Sequence, residues 1–204
     1  MTKKRRIVFA TGNQDKMREI REIFADYDGE ILSMKEAGAA AEPDENGSTF
    51  AENAMIKAEA VHQLLPEDIV MADDSGLSVD ALGGEPGIYS ARWLGRETPY
   101  KEKNAEIIRR LTGLTGKARS ARFHAAIACI LPDGRHFVTE AVMEGEIAEK
   151  PAGKNGFGYD PILYLPEYGR CSAELPEEEK NAISHRGKAL RLMRKKLLAA
   201  LQEG

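Results

Sequence analysis

Arg5-Arg6-Ile7-Val8-Phe9-Ala10-Thr11-Gly12-Asn13-Gln14-Asp15-Lys16 is the stretch whose reading decides the fold. An apolar run ends at Thr11-Gly12-Asn13, and a helical pattern of Met17, Ile20, Ile23 and Phe24 starts just behind it. Arg5 to Ala10 is therefore predicted to be a short buried strand, followed by a polar turn and a helix.

The alternation continues downstream. Lys35 to Gly47, rich in Ala, Gly and acids, is expected to be a mobile loop rather than a linker. Ser48 or Thr49 caps a helix with Phe50, Ala54, Ala58 and Val61 as its apolar positions, Glu52 placed for a capping interaction, and an end near Pro66. Ile69 to Ala72 reads as a strand that delivers Asp73-Asp74 into a Ser75-Gly76 turn, with a further strand from Leu77 to Leu82. Tyr100 to Leu111 is helical. Ala118 to Leu131 and His136 to Met143, joined by Pro132-Asp133-Gly134-Arg135, form a hairpin of strands long enough to bend. After the glycine-rich Pro151 to Pro161 come a strand from Ile162 to Leu165 and a terminal helix from His185 to Leu201, with Leu190, Met193, Leu197 and Leu198 on one face. The expected class is α/β, with a mixed, bent sheet flanked by helices.

With 204 residues, 42% of them hydrophobic, residues 1–204 are enough for a single domain with one core, or a core with a lobe packed on it. A formal charge of −4 gives no general attraction to nucleic acid or an anionic membrane, so neither is expected as a partner. Cys129 in an apolar run and Cys171 in a polar loop suggest neither a disulfide framework nor a metal knuckle. The basic start Lys3-Lys4-Arg5-Arg6 is followed by only four apolar residues, too few for a secretory signal, and no run reaches the roughly 20 needed to span a bilayer. A cytoplasmic location is expected.

Five stretches carry candidate chemistry. Thr11-Gly12-Asn13-Gln14-Asp15-Lys16 sits at a strand-to-helix junction, where free N–H groups and the Lys16 ammonium suit a phosphate; an ordinary helix cap is the alternative. Asn53 and Lys57 share a helix face, so Lys57 either meets a phosphate or pairs with Glu52 or Glu59 on the surface. Asp73 and Asp74 repel unless a cation or proton separates them, which points to a divalent metal; an Asp-capped turn is the alternative. Phe157, between Gly156 and Gly158, is uncrowded by neighbouring side chains and suits a platform for a base, or else is tucked into a structural turn. Lys180, His185 and Arg186 cluster where a loop passes into the last helix; cations at a helix start oppose its dipole, which points to a ligand.

Taken in order, these stretches resemble the inosine/xanthosine triphosphate pyrophosphatase family, Ham1-like enzymes that hydrolyse deaminated purine nucleoside triphosphates. The likeness runs from Val8 to about Leu192, through Ala72 to Leu77, Pro86 to Arg92, Gly156 to Pro161 and Ser184 to Gly187. It implies two lobes with a central active-site cleft, a homodimer, and Mg2+ as cofactor. It makes Thr11, Gly12, Asn13, Gln14, Asp15 and Lys16 a substrate-binding loop and Lys57 a phosphate contact, with Lys16 and Lys57 stabilising the leaving pyrophosphate. Asp74 is implied as proton acceptor and metal ligand, with Glu45 as the best-fitting second ligand in a loop that also holds Glu42 and Asp44. Ser75 is implied as a substrate contact, Phe157, Gly158, Tyr159 and Asp160 as base-binding, and Lys180, His185 and Arg186 as closing the base pocket. The implied reaction converts a nucleoside triphosphate and water to monophosphate and pyrophosphate. A nucleotide-binding sensor without turnover and a phosphatase releasing orthophosphate are the competing readings.

Overall fold

The computed structural model describes residues 5–202; Lys3 and Lys4 of the basic start lie outside the described residues. The elements are β1 (Arg6–Phe9), α1 (Gln14–Ile23), β2 (Glu30–Ser33), α2 (Phe50–His62), β3 (Ile69–Val79), α3 (Tyr100–Arg110), β4 (Ser120–Ile130), β5 (His136–Ile147), β6 (Leu163–Leu165), β7 (Arg170–Cys171), α4 (Glu177–Ile183) and α5 (His185–Gln202). Among the described residues seven strands form one sheet in the order β2-β1-β3-β4-β5-β6-β7. It is mixed, because β1 is parallel to β2 and β3 while β6 is antiparallel to β5 and β7. The described residues divide into two compact units: 5–74, Ala125–Ala141 and 186–202 form the first, and Ser75–His124 with Val142–His185 the second.

In the first unit β1 is covered on both faces, as a central parallel strand must be. Side chains alternate across a strand. Ile7 and Phe9, with Ile69 and Met71 of β3, pack on Met17 and Ile20 of α1 and on Leu190, Met193 and Leu197 of α5. Val8 and Ala10, with Val70 and Ala72, pack on Ala54, Ala58 and Val61 of α2. This double burial explains the unbroken apolar run. Leu198, expected on the apolar face of α5, is instead 45% exposed. The Val8↔Val70 and Phe9↔Met71 register, with the Ala10 N–H donating to Met71 O at 2.7 Å, brings Thr11–Lys16 beside Asp73. The order β2-β1-β3 makes this β1/β3 end a topological switch point, where open α/β sheets form their binding crevices.

The second unit packs Leu77 and Val79 of β3, Ile107 of α3, Phe123 of β4, Met143 and Ile147 of β5, and Tyr159 and Leu163 around one core. Two sequence expectations change here. β3 does not turn at Ser75-Gly76 but runs unbroken to Val79. α4, unforeseen, follows Pro176 with three acids, Glu177, Glu178 and Glu179, in its first turn; that is an ordinary helix start.

Cys171 lies in β7, buried like Cys129, and not in an open polar loop. Both are free thiols, and burial pushes Cys129 up to about 12 and Cys171 up to about 11, so almost no thiolate exists near neutrality. We expect a thiol-specific chromogenic reagent at neutral pH to leave both untouched in the folded protein and to titrate both in denaturant. Prompt labelling without denaturant would contradict this burial.

Candidate active site

Strand parity gives Asp73 and Asp74 different neighbours. Asp73, an odd position like Ile69 and Met71, points to the α1 and α5 side; Asp74, an even position, points to α2. Each acid therefore meets its own cations.

Asp73 is 1% exposed. Its Oδ2 accepts from Arg186 Nε, and its Oδ1 from Lys16 Nζ at 3.3 Å. Arg186 Nη1 also donates to Glu19, a buried acid of α1 that the sequence reading missed. Burial alone would raise Asp73, but the charges of Arg186 and Lys16 and the Arg186 hydrogen bond hold its carboxyl far below the usual range. Burial pushes the Lys16 ammonium below its ordinary value against the pull of Asp73, with Lys57 and Arg186 adding to the push. The repulsion attributed to the acidic pair is thus relieved at Asp73 by the protein's own cations, and the case for a metal rests on Asp74.

At Asp74, Oδ1 accepts from Lys57 Nζ at 2.6 Å, while Oδ2 is buried without a hydrogen-bond partner. Burial raises the Asp74 carboxyl above its ordinary value, opposed by Lys57. Lys57 also donates to Asp73 O at 3.0 Å and to Glu45 at 3.4 Å, so its three ammonium protons are matched by three acceptors, with Glu45 the most distant. Lys57 is accordingly not the solvated surface lysine of the alternative reading. Glu45 is half-buried here, whereas Glu42 and Asp44 are exposed. Asn53 Oδ1 accepts from Gly47 N at 2.9 Å and steadies the loop that carries Glu45.

The Thr11–Lys16 loop is also a true helix cap. Asn13 Oδ1 accepts from the N–H groups of Asp15 and Lys16 at 2.9 and 3.1 Å, and Thr11 Oγ1 accepts from Asn13 N at 3.1 Å. Two of the helix-start donors expected to face a phosphate are therefore taken. Gly12, Asn13 and Gln14 are exposed, and Lys16 uses two of its three donors, on the carbonyl and carboxylate of Asp73.

In the second unit Asp160 is the hub of the base-loop motif. Its Oδ2 accepts from Phe157 N at 2.8 Å and from Lys180 Nζ at 2.6 Å, and its Oδ1 from Ser172 Oγ at 2.8 Å. The Lys180 ammonium lies 5.4 Å from the centre of the half-buried Phe157 ring. Gly156 has φ +69, and a Cβ there would come within 2.2 Å of Asp160 Oδ2. The glycine beside Phe157 thus serves the Asp160–Lys180 pair, a reason the sequence reading did not anticipate. Tyr159 is buried, with its hydroxyl donating to Ser90 O at 2.9 Å. Ser75 is half-buried on β3.

The C-terminal trio resolves into three separate settings. Lys180 occupies the last turn of α4, where the dipole favours a cation, so the argument from an unfavourable helix start no longer includes it, whereas His185 and Arg186 do open α5. His185 stacks on Phe123, centroids 4.7 Å apart and planes at 19°. Arg186 is buried on Asp73 and Glu19. His185 belongs to the second unit and Arg186 to the first.

The chain as a whole is similar to known proteins. The family model described as the Ham1 family covers residues 7–196. A dITP/XTP pyrophosphatase of Geobacillus kaustophilus is 50% identical over 184 residues, 90% of either chain. Another, from Caldanaerobacter subterraneus subsp. tengcongensis, is 42% identical over 198 residues, 97% of this chain and 98% of that one. Among solved structures, the Staphylococcus aureus Ham1 protein superposes with a TM-score of 0.84 at 40% identity, covering 96% of this chain and 100% of its own. A HAM1 protein from Coxiella burnetii gives 0.83 at 39%, covering 98% and 100%. With matches spanning nearly its whole length, the chain belongs to the Ham1 family.

Proposed function

We propose that the chain hydrolyses deaminated purine nucleoside triphosphates, those of inosine, deoxyinosine and xanthosine, to the monophosphate and pyrophosphate. The observation that carries the reading is Asp74: a buried carboxylate with one oxygen on Lys57, the other unpartnered, and a proton affinity raised by burial. A raised carboxyl is a stronger base, suited to take a proton from water as its oxygen bonds to the α-phosphorus and the anhydride bond to the β-phosphate breaks.

The donor set fits a divalent cation. Asp74 Oδ2 is orphaned and buried, and Glu45 is tied to the same lysine, so these two carboxylates would hold the ion together with substrate phosphates, as Mg2+ usually prefers. Bound there, Mg2+ supplies positive charge against the polyphosphate. Lys57 gives up its most distant acceptor, Glu45, to free a proton for a phosphate oxygen, and Lys16 offers its third donor, so both ammonium groups offset the charge gathering on the leaving pyrophosphate.

For the base, the reading assigns Phe157 as the stacking surface and the loop through Asp160, with Lys180 and His185, as the recognition side. Donors toward the 6-oxygen favour inosine and xanthosine, because an adenine amino group would leave buried donors unpaired. Guanine shares that oxygen and is rejected by leaving its 2-amino group desolvated and without an acceptor. The reading includes Ser75 as a substrate contact and a homodimer acting on free nucleotides in the cytoplasm. The charge of −4 supports independence from nucleic acid, and among the described residues no helix is long and apolar enough to cross a membrane.

The test is a nucleotide panel with Mg2+, scoring pyrophosphate and orthophosphate separately. We expect pyrophosphate and monophosphate in equal amounts from inosine, deoxyinosine and xanthosine triphosphates, with far slower release from those of adenosine and guanosine. Orthophosphate as the product would identify a phosphatase, and tight binding without turnover a sensor; either result defeats the proposal.

A further inference from the structure

We infer that Lys103 and Asn104 of α3 are positioning residues for base selection, acting through the backbone carbonyls of Ala91 and Gly158. The inference rests on the function proposed above, and it gives a role to the Pro86–Arg92 segment, which that reading leaves idle.

Asn104 is buried, and its Nδ2 donates to Gly158 O at 3.1 Å. Gly158 follows Phe157 directly and has φ +66, so neither helix nor sheet ladder holds its carbonyl in place. Phe157 is thus gripped on both sides, its own N–H by Asp160 and the next carbonyl by Asn104. Asn104 Oδ1 is buried without a hydrogen-bond partner, a penalty that an apolar residue of similar size would remove.

Lys103 is the more costly neighbour. It is buried in the first turn of α3, where the dipole disfavours a cation, and among the described residues it has no acidic partner. Its ammonium donates to Ala91 O at 2.7 Å and lies 5.0 Å from the centre of the Tyr100 ring. Ala91 follows Ser90, whose carbonyl accepts from Tyr159 and whose Oγ donates to Gly87 O at 2.7 Å while accepting from Leu77 N at 2.9 Å. Tyr100 meets Tyr159 edge-on, with ring centres 5.1 Å apart. One turn of α3 therefore ties the Pro86–Arg92 segment to the Phe157–Asp160 loop at two carbonyls and an aromatic contact. Ile107 of this helix and Leu111 at its end supply apolar packing, and the buried polar pair adds fixation to it.

The experiment compares wild type with Asn104→Ala, Asn104→Ser, Lys103→Met and Lys103→Arg. It reads kcat and KM on inosine triphosphate, discrimination against adenosine triphosphate, inhibition by inorganic tripolyphosphate, and Tm. We expect Asn104→Ala and Lys103→Met to raise KM and lower discrimination about tenfold each, the fold-change one hydrogen bond supports. Turnover and tripolyphosphate inhibition stay as in wild type, and Lys103→Arg, which keeps a donor, recovers most of the loss. If Asn104→Ala melts below the assay temperature, Asn104→Ser carries the same expectation at smaller size. Folded variants with unchanged KM and discrimination, or with tripolyphosphate inhibition weakened in step with KM, overturn the inference alone. A wild type that does not select inosine over adenosine triphosphate overturns the proposed function, and the inference with it.

Discussion

Asp74→Asn is expected to lower the rate of pyrophosphate release by ~100-fold or more, the scale of lost general-base catalysis, without lowering Tm. Asparagine keeps the size of the side chain and an oxygen for Lys57, which now meets Asp74 Oδ1 at 2.6 Å, but it takes up no proton. The stability expectation follows from the direction of the Asp74 shift. Burial raises this carboxyl above its ordinary value, so its ionised form is less favourable in the folded protein than in the unfolded chain. Its favourable contribution exists only while it is protonated and is lost as pH rises through the raised value. Near neutrality a neutral amide therefore removes a penalty, and Tm should hold or rise. Retained turnover in Asp74→Asn would take the proton-acceptor role away from this residue.

Such opposition between stability and function at one residue was not visible in the chain. The fold class was, because the parallel core strand β1 and the amphipathic α1 write their burial directly into residue spacing. The motifs were visible as clusters, but not the division of labour inside them. Reading Ser75-Gly76 as a turn hid the parity of β3, and only an unbroken strand sends two adjacent acids to opposite faces. Glu19 went unnoticed although it stands three residues after Lys16 on α1, a spacing that puts both on one face. α4 had a readable start in Pro176 and its three acids; missing it turned Lys180 into a cation at the wrong end of a helix. Partners distant in sequence, such as Arg186 for Asp73 and Asn104 for Gly158, leave no local pattern because tertiary packing alone brings them together.

Asp73→Asn, one residue away, is expected to do the reverse: to unfold the protein more readily at neutral pH. Asp73 is held far below its ordinary value, since Arg186 and Lys16 outweigh the burial that would raise it. Its ionised form therefore stabilises the fold at every pH above its unfolded value, and that contribution fades only as pH falls toward the depressed folded value. Substitution takes the Asp73 carboxylate away from the buried Arg186, which keeps its pairing with Glu19, and away from Lys16. A buried pair that loses one partner typically costs about 3–5 kcal/mol, a large share of the ~5–15 kcal/mol that holds most domains together. For a chain of this length that is a fall in Tm of order 10 °C. Melting curves at about pH 6 and pH 8 should show the same gap from wild type, because both lie well above the range in which Asp73 gains a proton. If Asp73→Asn instead melts with wild type and loses turnover as Asp74→Asn does, the two acids share the chemistry and the partition drawn from strand parity is wrong.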